Sequence, residues 1–182
     1  MTNPSRALPG DTPTREILER MIRVDHAGEY GATRIYAGQL AVLGRGRKAA
    51  LLRHMQAQEQ QHLETFNKVV ADRRVRPTVL LPFWHLAGFA LGAATALLGE
   101  KAAMACTVAV EEAIDAHYTA QIDALGETEP ELRATLERFR AEEREHRDTA
   151  LDHGAEDAPG DRLLSAAIKA GCRVAIGLSE RV

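Results

Sequence analysis

The stretch QEQQHLETF (residues 58–66) places a glutamate and a histidine three residues apart, and EEREHRDTA (residues 142–150) repeats the arrangement. Both stretches are predicted to be helical, because apolar residues recur around them at spacings of three and four. A Glu at position i and a His at i+3 project from the same face of a helix, so both can bind one ion. The pairs Glu59 with His62 and Glu143 with His146 therefore predict an all-α chain with metal ligands on two of its helices.

The remaining periodicity predicts four long helices and one short one, at about residues 13–43, 48–72, 100–125, 128–153 and 161–178. Thr12 and Pro13 are suited to start the first helix, and GRGR at 44–47 ends it. A capping box formed by Thr128 and Glu131 is expected to open the fourth helix. Residues 1–12, rich in Pro, Gly and Thr, are predicted to be disordered, and residues 13–182 to form one domain.

Each long helix carries one glutamate within its apolar stripe, namely Glu29, Glu59, Glu111 and Glu143. The midpoint between Glu29 and Glu59 is residue 44, inside the GRGR turn, and the midpoint between Glu111 and Glu143 is residue 127, inside the turn GETEPE. Residues equidistant from the turn of an antiparallel hairpin stand at the same height. Each first-helix glutamate is therefore expected to face the Glu-x-x-His pair on the second helix, and the chain is predicted to use one hairpin twice.

Four carboxylates and two histidines at one level of a four-helix bundle form the ligand set of carboxylate-bridged di-iron or di-manganese proteins. Four carboxylates neutralise two divalent ions, so such a site can be buried. Oxygen and imidazole ligands without thiolates favour iron or manganese over a structural zinc site. The predicted ligands are Glu29, Glu59, His62, Glu111, Glu143 and His146.

Four further residues are candidates for hydrogen bonds that support the ligands: Asp25, His26, Asp115 and Tyr118. For the two aspartates, a bond to a ligand histidine and an ordinary salt bridge are alternatives. For His26, packing or support is favoured over ligation. Tyr36 and Tyr118 fit a core position better than a redox role. Glu142 lies off the apolar stripe and is expected to face solvent.

The connection between the second and third long helices carries no charged residue from Pro77 to Gly99, whereas a soluble crossover should be mostly polar. A membrane span there would put the two hairpins on opposite sides of the bilayer and separate the ligands. The favoured interpretation is an apolar segment that lies on the bundle or in a membrane interface, with an ordinary hydrophobic flap as the alternative. The candidate membrane contacts are Leu80, Leu81, Phe83 and Trp84.

Composition narrows the classes of function. The formal net charge of −3 and the pI near 6.2 give no general case for binding nucleic acid. Two cysteines, Cys106 and Cys172, lack metal-type spacing and favour a reducing compartment. The N-terminal stretch has no apolar core of a secretory signal, so a bacterial cytoplasmic setting or an already processed chain is expected.

Four stretches closely resemble the demethoxyubiquinone hydroxylase family, the di-iron monooxygenases of ubiquinone biosynthesis. They are RVDHAGEYGATRIYAGQLAVLG (23–44), RVRPTVLLPFWHLAGFALGAATALLG (74–99), KAAMACTVAVEEAIDAHY (101–118) and AGCRVAIGLSERV (170–182). The resemblance implies a ferritin-like bundle with two iron ions on the six residues named above. It also implies that O2 and NADH support hydroxylation of the ring of a polyprenylated demethoxyubiquinol.

The same resemblance implies a peripheral location on the membrane that holds the lipid substrate. The expected site is the cytoplasmic face of a bacterial inner membrane, with a mitochondrial inner membrane after processing as the alternative. Further expected partners are a lipid-presenting protein, other proteins of ubiquinone biosynthesis, or a second copy of the chain.

Other functions share parts of this pattern. A ferroxidase or iron store would use the same ligands but needs a soluble surface, which the apolar crossover would spoil. A manganese catalase or a rubrerythrin-like peroxidase is a second alternative, although rubrerythrins usually add a cysteine-rich iron domain. A di-iron hydroxylase of tRNA would need a basic patch around the site, and a purely structural bundle would not need the ligand set.

Overall fold

The computed structural model describes residues 14–182, so the predicted disorder of residues 1–12 and the helix start at Thr12 and Pro13 lie outside the described residues. Within that range the chain is helical and contains no strand, which confirms the all-α prediction. The helices are α1 (Arg15–Leu43), α2 (Ala49–Asp72), α3 (Leu81–Leu97), α4 (Glu100–Leu125), α5 (Pro130–Asp152) and α6 (Asp161–Ser179), with a short 3₁₀ helix at Ala155–Asp157.

The bundle consists of two hairpins, α1 with α2 and α4 with α5, as predicted for a ferritin-like fold. Helix α3 packs on α1, and α6 packs on α4, so each hairpin carries one additional helix on its first member. Two apolar clusters lie on either side of the level of Glu59 and Glu143, one around Leu52 and Met104 and the other around Phe66 and Leu136. Each of these fully buried side chains contributes roughly 1.5–3 kcal/mol to folding.

Two helix starts show how local chemistry sets the boundaries. The Thr14 hydroxyl accepts a hydrogen bond from the Ile17 amide at 3.3 Å and caps α1. The predicted capping box at Thr128 is wrong, because the Thr128 hydroxyl donates to the Leu125 carbonyl at 2.7 Å and α5 begins at Pro130. Glu129 precedes that proline, which disfavours the helical conformation that a cap at Thr128 would require.

The apolar crossover contains a 17-residue helix, α3, which the sequence pattern does not predict. It lies very close to α1, and a Cβ added to Gly92 would overlap the carbonyl of Ile35. Glycine is needed here because any side chain would push the two helices apart. Within residues 14–182, no helix has both the length and the hydropathy required to cross a membrane.

Candidate metal centre

The six predicted ligands converge in the middle of the bundle. Glu29, Glu59, His62 and Glu143 can each offer one ligand atom within 4.8 Å of the others, and we call this group site A. Glu59, Glu111, Glu143 and His146 do the same and form site B. All six side chains are buried. Glu59 and Glu143 belong to both sites, so they occupy the position that bridging carboxylates need.

Each histidine faces the centre through its Nδ1 atom. The Nδ1 of His62 lies 3.1 Å from a Glu143 oxygen and 3.4 Å from a Glu29 oxygen. The Nδ1 of His146 lies 3.0 Å from a Glu59 oxygen and 3.2 Å from a Glu143 oxygen. Glutamates of both hairpins thus surround each imidazole, and the hairpin spacing in the sequence accounts for this convergence.

Many polar atoms of the centre have no hydrogen-bond partner. They are one oxygen each of Glu29, Glu111 and Glu143, both oxygens of Glu59, and the Nδ1 of His146. Buried polar atoms of native proteins are almost always paired, and an unpaired carboxylate oxygen is costly. Two divalent cations would satisfy these atoms and balance the four carboxylates, so the residues fit a dinuclear metal centre.

Protons stabilise the metal-free centre. Burial and the charge of Glu143 raise the pKa of Glu59 to about 8. Burial alone would also raise the pKa of Glu143, but the neighbouring imidazoles of His146 and His62 lower it to about 2. Burial opposes the charged form of His62, yet Glu143 and Glu29 raise its pKa to about 12. The centre is therefore built to hold positive charge, whether from protons or from metal ions.

The outer nitrogen of each histidine is also bonded. The Nε2–H of His62 donates to Glu142 at 2.6 Å, and the Nε2–H of His146 donates to the side-chain oxygen of Gln58 at 3.1 Å. In the neutral ring these bonds keep the proton on Nε2, so the Nδ1 lone pair is available to a metal. The expectation that Glu142 faces solvent is wrong, because its side chain reaches across to the other hairpin and is only 31% exposed.

Two tyrosines hold the glutamates of the first helices. The Tyr118 hydroxyl donates to Glu29, and the Tyr36 hydroxyl donates to Glu111 at 3.0 Å. Tyr36 is buried as predicted, but the sequence interpretation missed its bond to a ligand. A usable signal was present: each tyrosine follows the glutamate of its own helix by seven residues and contacts the glutamate of the other hairpin.

The other supporting candidates do not contact the ligand histidines. Asp25 accepts a hydrogen bond from Gln121 at 2.8 Å. Asp115 accepts hydrogen bonds from Arg140 and Arg144 at 2.9 and 2.7 Å, so its salt-bridge alternative is the observed one. The Nε2 of His26 is 2.9 Å from the Asn67 side-chain oxygen, in line with packing or support rather than ligation.

An apolar cavity of about 460 Å³ lies between α1, α3, α4 and α6. Its walls include Gly31 and Ile35 of α1, Val110 of α4, and Ile168 of α6. The Trp84 side chain also lines it and donates a hydrogen bond to the Ser179 hydroxyl at 3.0 Å. The cavity therefore borders the two helices that carry Glu29 and Glu111, and an apolar ligand could be held there out of water.

Comparison with known proteins places the chain in a family. Residues 16–179 match the family model described as ubiquinone biosynthesis protein COQ7. The chain is 62% identical to the 3-demethoxyubiquinol 3-hydroxylase of Rhodospirillum rubrum, over 96% of this chain and 83% of that protein. It is 56% identical to the human mitochondrial NADPH-dependent 3-demethoxyubiquinone 3-hydroxylase, over 94% of this chain and 81% of that protein.

The similarity extends to fungi. The chain is 42% identical to the mitochondrial 5-demethoxyubiquinone hydroxylase of Saccharomyces cerevisiae, over 91% of this chain and 78% of that protein. These matches cover most of each protein compared, and they confirm the resemblance found in the sequence. This chain therefore belongs to the COQ7 family, a family of hydroxylases of ubiquinone biosynthesis.

Proposed function

We propose that this chain hydroxylates the ring of a polyprenylated demethoxyubiquinol, with O2 as the oxygen source and two iron ions at sites A and B. The observation that carries the proposal is the buried cluster of four glutamates and two histidines, together with an apolar cavity that borders the helices of Glu29 and Glu111. The names of the relatives supply the substrate class.

The roles of the metal-holding residues follow from their positions. His62 and His146 would each bind one ion through Nδ1, and Glu59 and Glu143 would be shared between the ions. Bound iron would supply the redox chemistry that activates O2. Tyr36 would orient one terminal glutamate through its hydroxyl, as Tyr118 would orient the other. The surrounding apolar clusters exclude water from the reacting groups.

The cavity supports a substrate with an isoprenoid tail. Its walls are small or apolar residues such as Gly31, Ile35 and Val110, which suit a hydrocarbon chain and offer few hydrogen bonds. A tail held there would place the quinol ring near the helices that carry the glutamates. The ring would gain one oxygen atom from O2, and the second would leave as water after uptake of two electrons and two protons.

The electrons are proposed to come from a nicotinamide nucleotide. The resemblance in the sequence implied NADH, whereas the names of the human and bovine relatives specify NADPH. NADH therefore stays a prediction for this chain, and an assay must compare both nucleotides.

Docking of α3 and α6 on a membrane surface is the second part of the proposal. Phe83 and Leu86 of α3 are 58% and 70% exposed, and Leu163 and Val174 of α6 are 79% and 61% exposed. Exposed apolar side chains on two neighbouring helices fit the interface of a bilayer that supplies the lipid substrate. Of the contacts expected from the sequence, Phe83 is exposed, while Leu80, Leu81 and Trp84 are half-buried.

The names of the relatives bear on the cellular location of this chain. The eukaryotic relatives are named as mitochondrial, and the relative from Rhodospirillum rubrum is bacterial. The cytoplasmic face of a bacterial inner membrane is the proposed location for this chain. A lipid-presenting partner and a homo-oligomer likewise remain proposals.

The activity is tested with purified, iron-loaded protein, O2, a short-chain demethoxyubiquinone and either NADH or NADPH. Mass spectrometry should detect the ring-hydroxylated product. Glu143→Gln should abolish turnover because it removes a carboxylate shared by both sites, and Glu145→Gln on the exposed face of α5 should be fully active. If the ring is not hydroxylated and the protein instead oxidises Fe(II) rapidly, the ferroxidase alternative is favoured. Rapid dismutation of peroxide would favour the catalase alternative.

A further inference from the structure

The two halves of the metal centre follow the same pattern along the chain. In each hairpin, a tyrosine stands seven residues after the first glutamate, and a histidine stands three residues after the second. In each hairpin, the residue directly before the second glutamate bonds to the histidine of the other hairpin. The centre therefore has approximate twofold symmetry in its donors and in their supporting bonds.

One supporting pair breaks this symmetry in charge. Glu142 presents a carboxylate to His62 of site A, whereas Gln58 presents a neutral amide oxygen to His146 of site B. The distance from the histidine Nε2 to the acceptor oxygen is 2.6 Å for the carboxylate and 3.1 Å for the amide. A charged acceptor is expected to make the shorter bond. Hydrogen bonds to ionised acceptors are shorter and about twice as strong as neutral ones.

We infer that Glu142 is a positioning residue that makes site A the tighter of the two metal positions, while Gln58 leaves site B the weaker one. A carboxylate that accepts the Nε2–H bond raises the electron-donating power of Nδ1 on the same ring. An amide acceptor does so less. The inference rests on the two-metal centre proposed above. It adds which of the two sites binds its metal ion more tightly.

The two sites are then expected to bind their metal ions in a fixed order. Site A fills first, and site B exchanges its ion more readily. Glu59 and Glu143 are shared by both sites and cannot create this difference by themselves. The difference between the terminal glutamates is small as well, because Glu29 and Glu111 each accept one tyrosine hydroxyl bond.

The test is an anaerobic Fe(II) titration against a competing chelator, with wild-type protein and two isosteric swaps. The wild type should show two dissociation constants separated by roughly tenfold or more, the size of effect that such supporting bonds have on metal affinity. Glu142→Gln should weaken the tighter site and bring the two constants together. Gln58→Glu should strengthen the weaker site and also bring them together.

The double swap, Glu142→Gln with Gln58→Glu, distinguishes electronic from structural roles. It should restore two separate constants, now with site B the tighter. Mössbauer spectra of protein loaded with one equivalent of ⁵⁷Fe should then show iron at site B, whereas the wild type should show iron at site A. Glu145→Gln is the matched control on the same helix, with an exposed side chain, and should behave as the wild type.

The outcomes separate this inference from the proposed function. Equal affinities in the wild type, or constants that Glu142→Gln leaves unchanged, would overturn the inference while two iron ions still bind. A wild-type protein that binds fewer than two equivalents of Fe(II) would overturn the dinuclear centre itself, and the inference with it.

Discussion

The exposed apolar side chains of α3 and α6 give a quantitative prediction for the proposed membrane docking. Full burial of a Leu or Phe side chain is worth roughly 1.5–3 kcal/mol. Phe83 and Leu86 expose 58% and 70% of their surface, so their replacement by serine removes a large part of that value at each position. The double substitution should cost about 2–4 kcal/mol of membrane binding, a decrease in affinity of roughly 30- to 700-fold.

The assay is flotation with liposomes, combined with turnover of two substrates. The substituted protein should fall out of the liposome fraction and lose turnover of a long-tailed substrate. A tail-less analogue should be hydroxylated at the wild-type rate, because neither residue touches the metal centre. Thermal unfolding should be almost unchanged, since substitutions at exposed positions usually alter stability by less than about 0.5 kcal/mol.

The matched control is Val42→Ser, which changes an apolar residue of α1 that is 37% exposed. This variant should float as the wild type does. Flotation of the Phe83 and Leu86 double variant at the wild-type level would refute the proposed docking face. Equal loss of activity on both substrates would show instead that α3 is a flap required by the centre.

Three further predictions concern the fold and the centre. Gly92→Ala should lower the free energy of unfolding by about 1–3 kcal/mol, because its Cβ would overlap α1, whereas Gly177→Ala, which meets open space, should not destabilise the protein in denaturant titrations. Tyr36→Phe should weaken iron binding roughly tenfold, measured by chelator competition, because a glutamate ligand loses its hydroxyl donor; unchanged affinity would contradict the role of this hydrogen bond. Metal-free protein should become less stable as the pH rises from about 6 to about 8: the raised pKa values of His62 (about 12) and Glu59 (about 8) mean that the native state keeps protons that the unfolded chain loses. Each such proton lowers the free energy of unfolding by up to about 1.4 kcal/mol per pH unit, a slope that iron-loaded protein should lack in calorimetry.

Local patterns in the sequence were sufficient for the four long helices, for the short C-terminal helix and for the convergence of the six central residues, but they did not predict α3. Periodicity is a property of each helix alone, and an antiparallel hairpin places residues equidistant from its turn at the same height. Simple counting from Glu29 to Glu59, and from Glu111 to Glu143, therefore located the level at which the structure brings them together. The same reasoning could not predict the start of α5, because the conformation imposed by Pro130 competes with the capping pattern.

Contacts between hairpins were decided only by the tertiary structure. Glu142, Gln58 and Tyr36 reach ligands that are 75 to 88 residues away in the chain, and no periodicity within one helix reports such a contact. The cavity likewise exists only because α3 and α6 pack on the first helices of the two hairpins. The sequence alone thus determined which side chains form the candidate metal centre, since ligand chemistry and helical spacing are local. The supporting bonds and the substrate space depend on how the helices pack against one another.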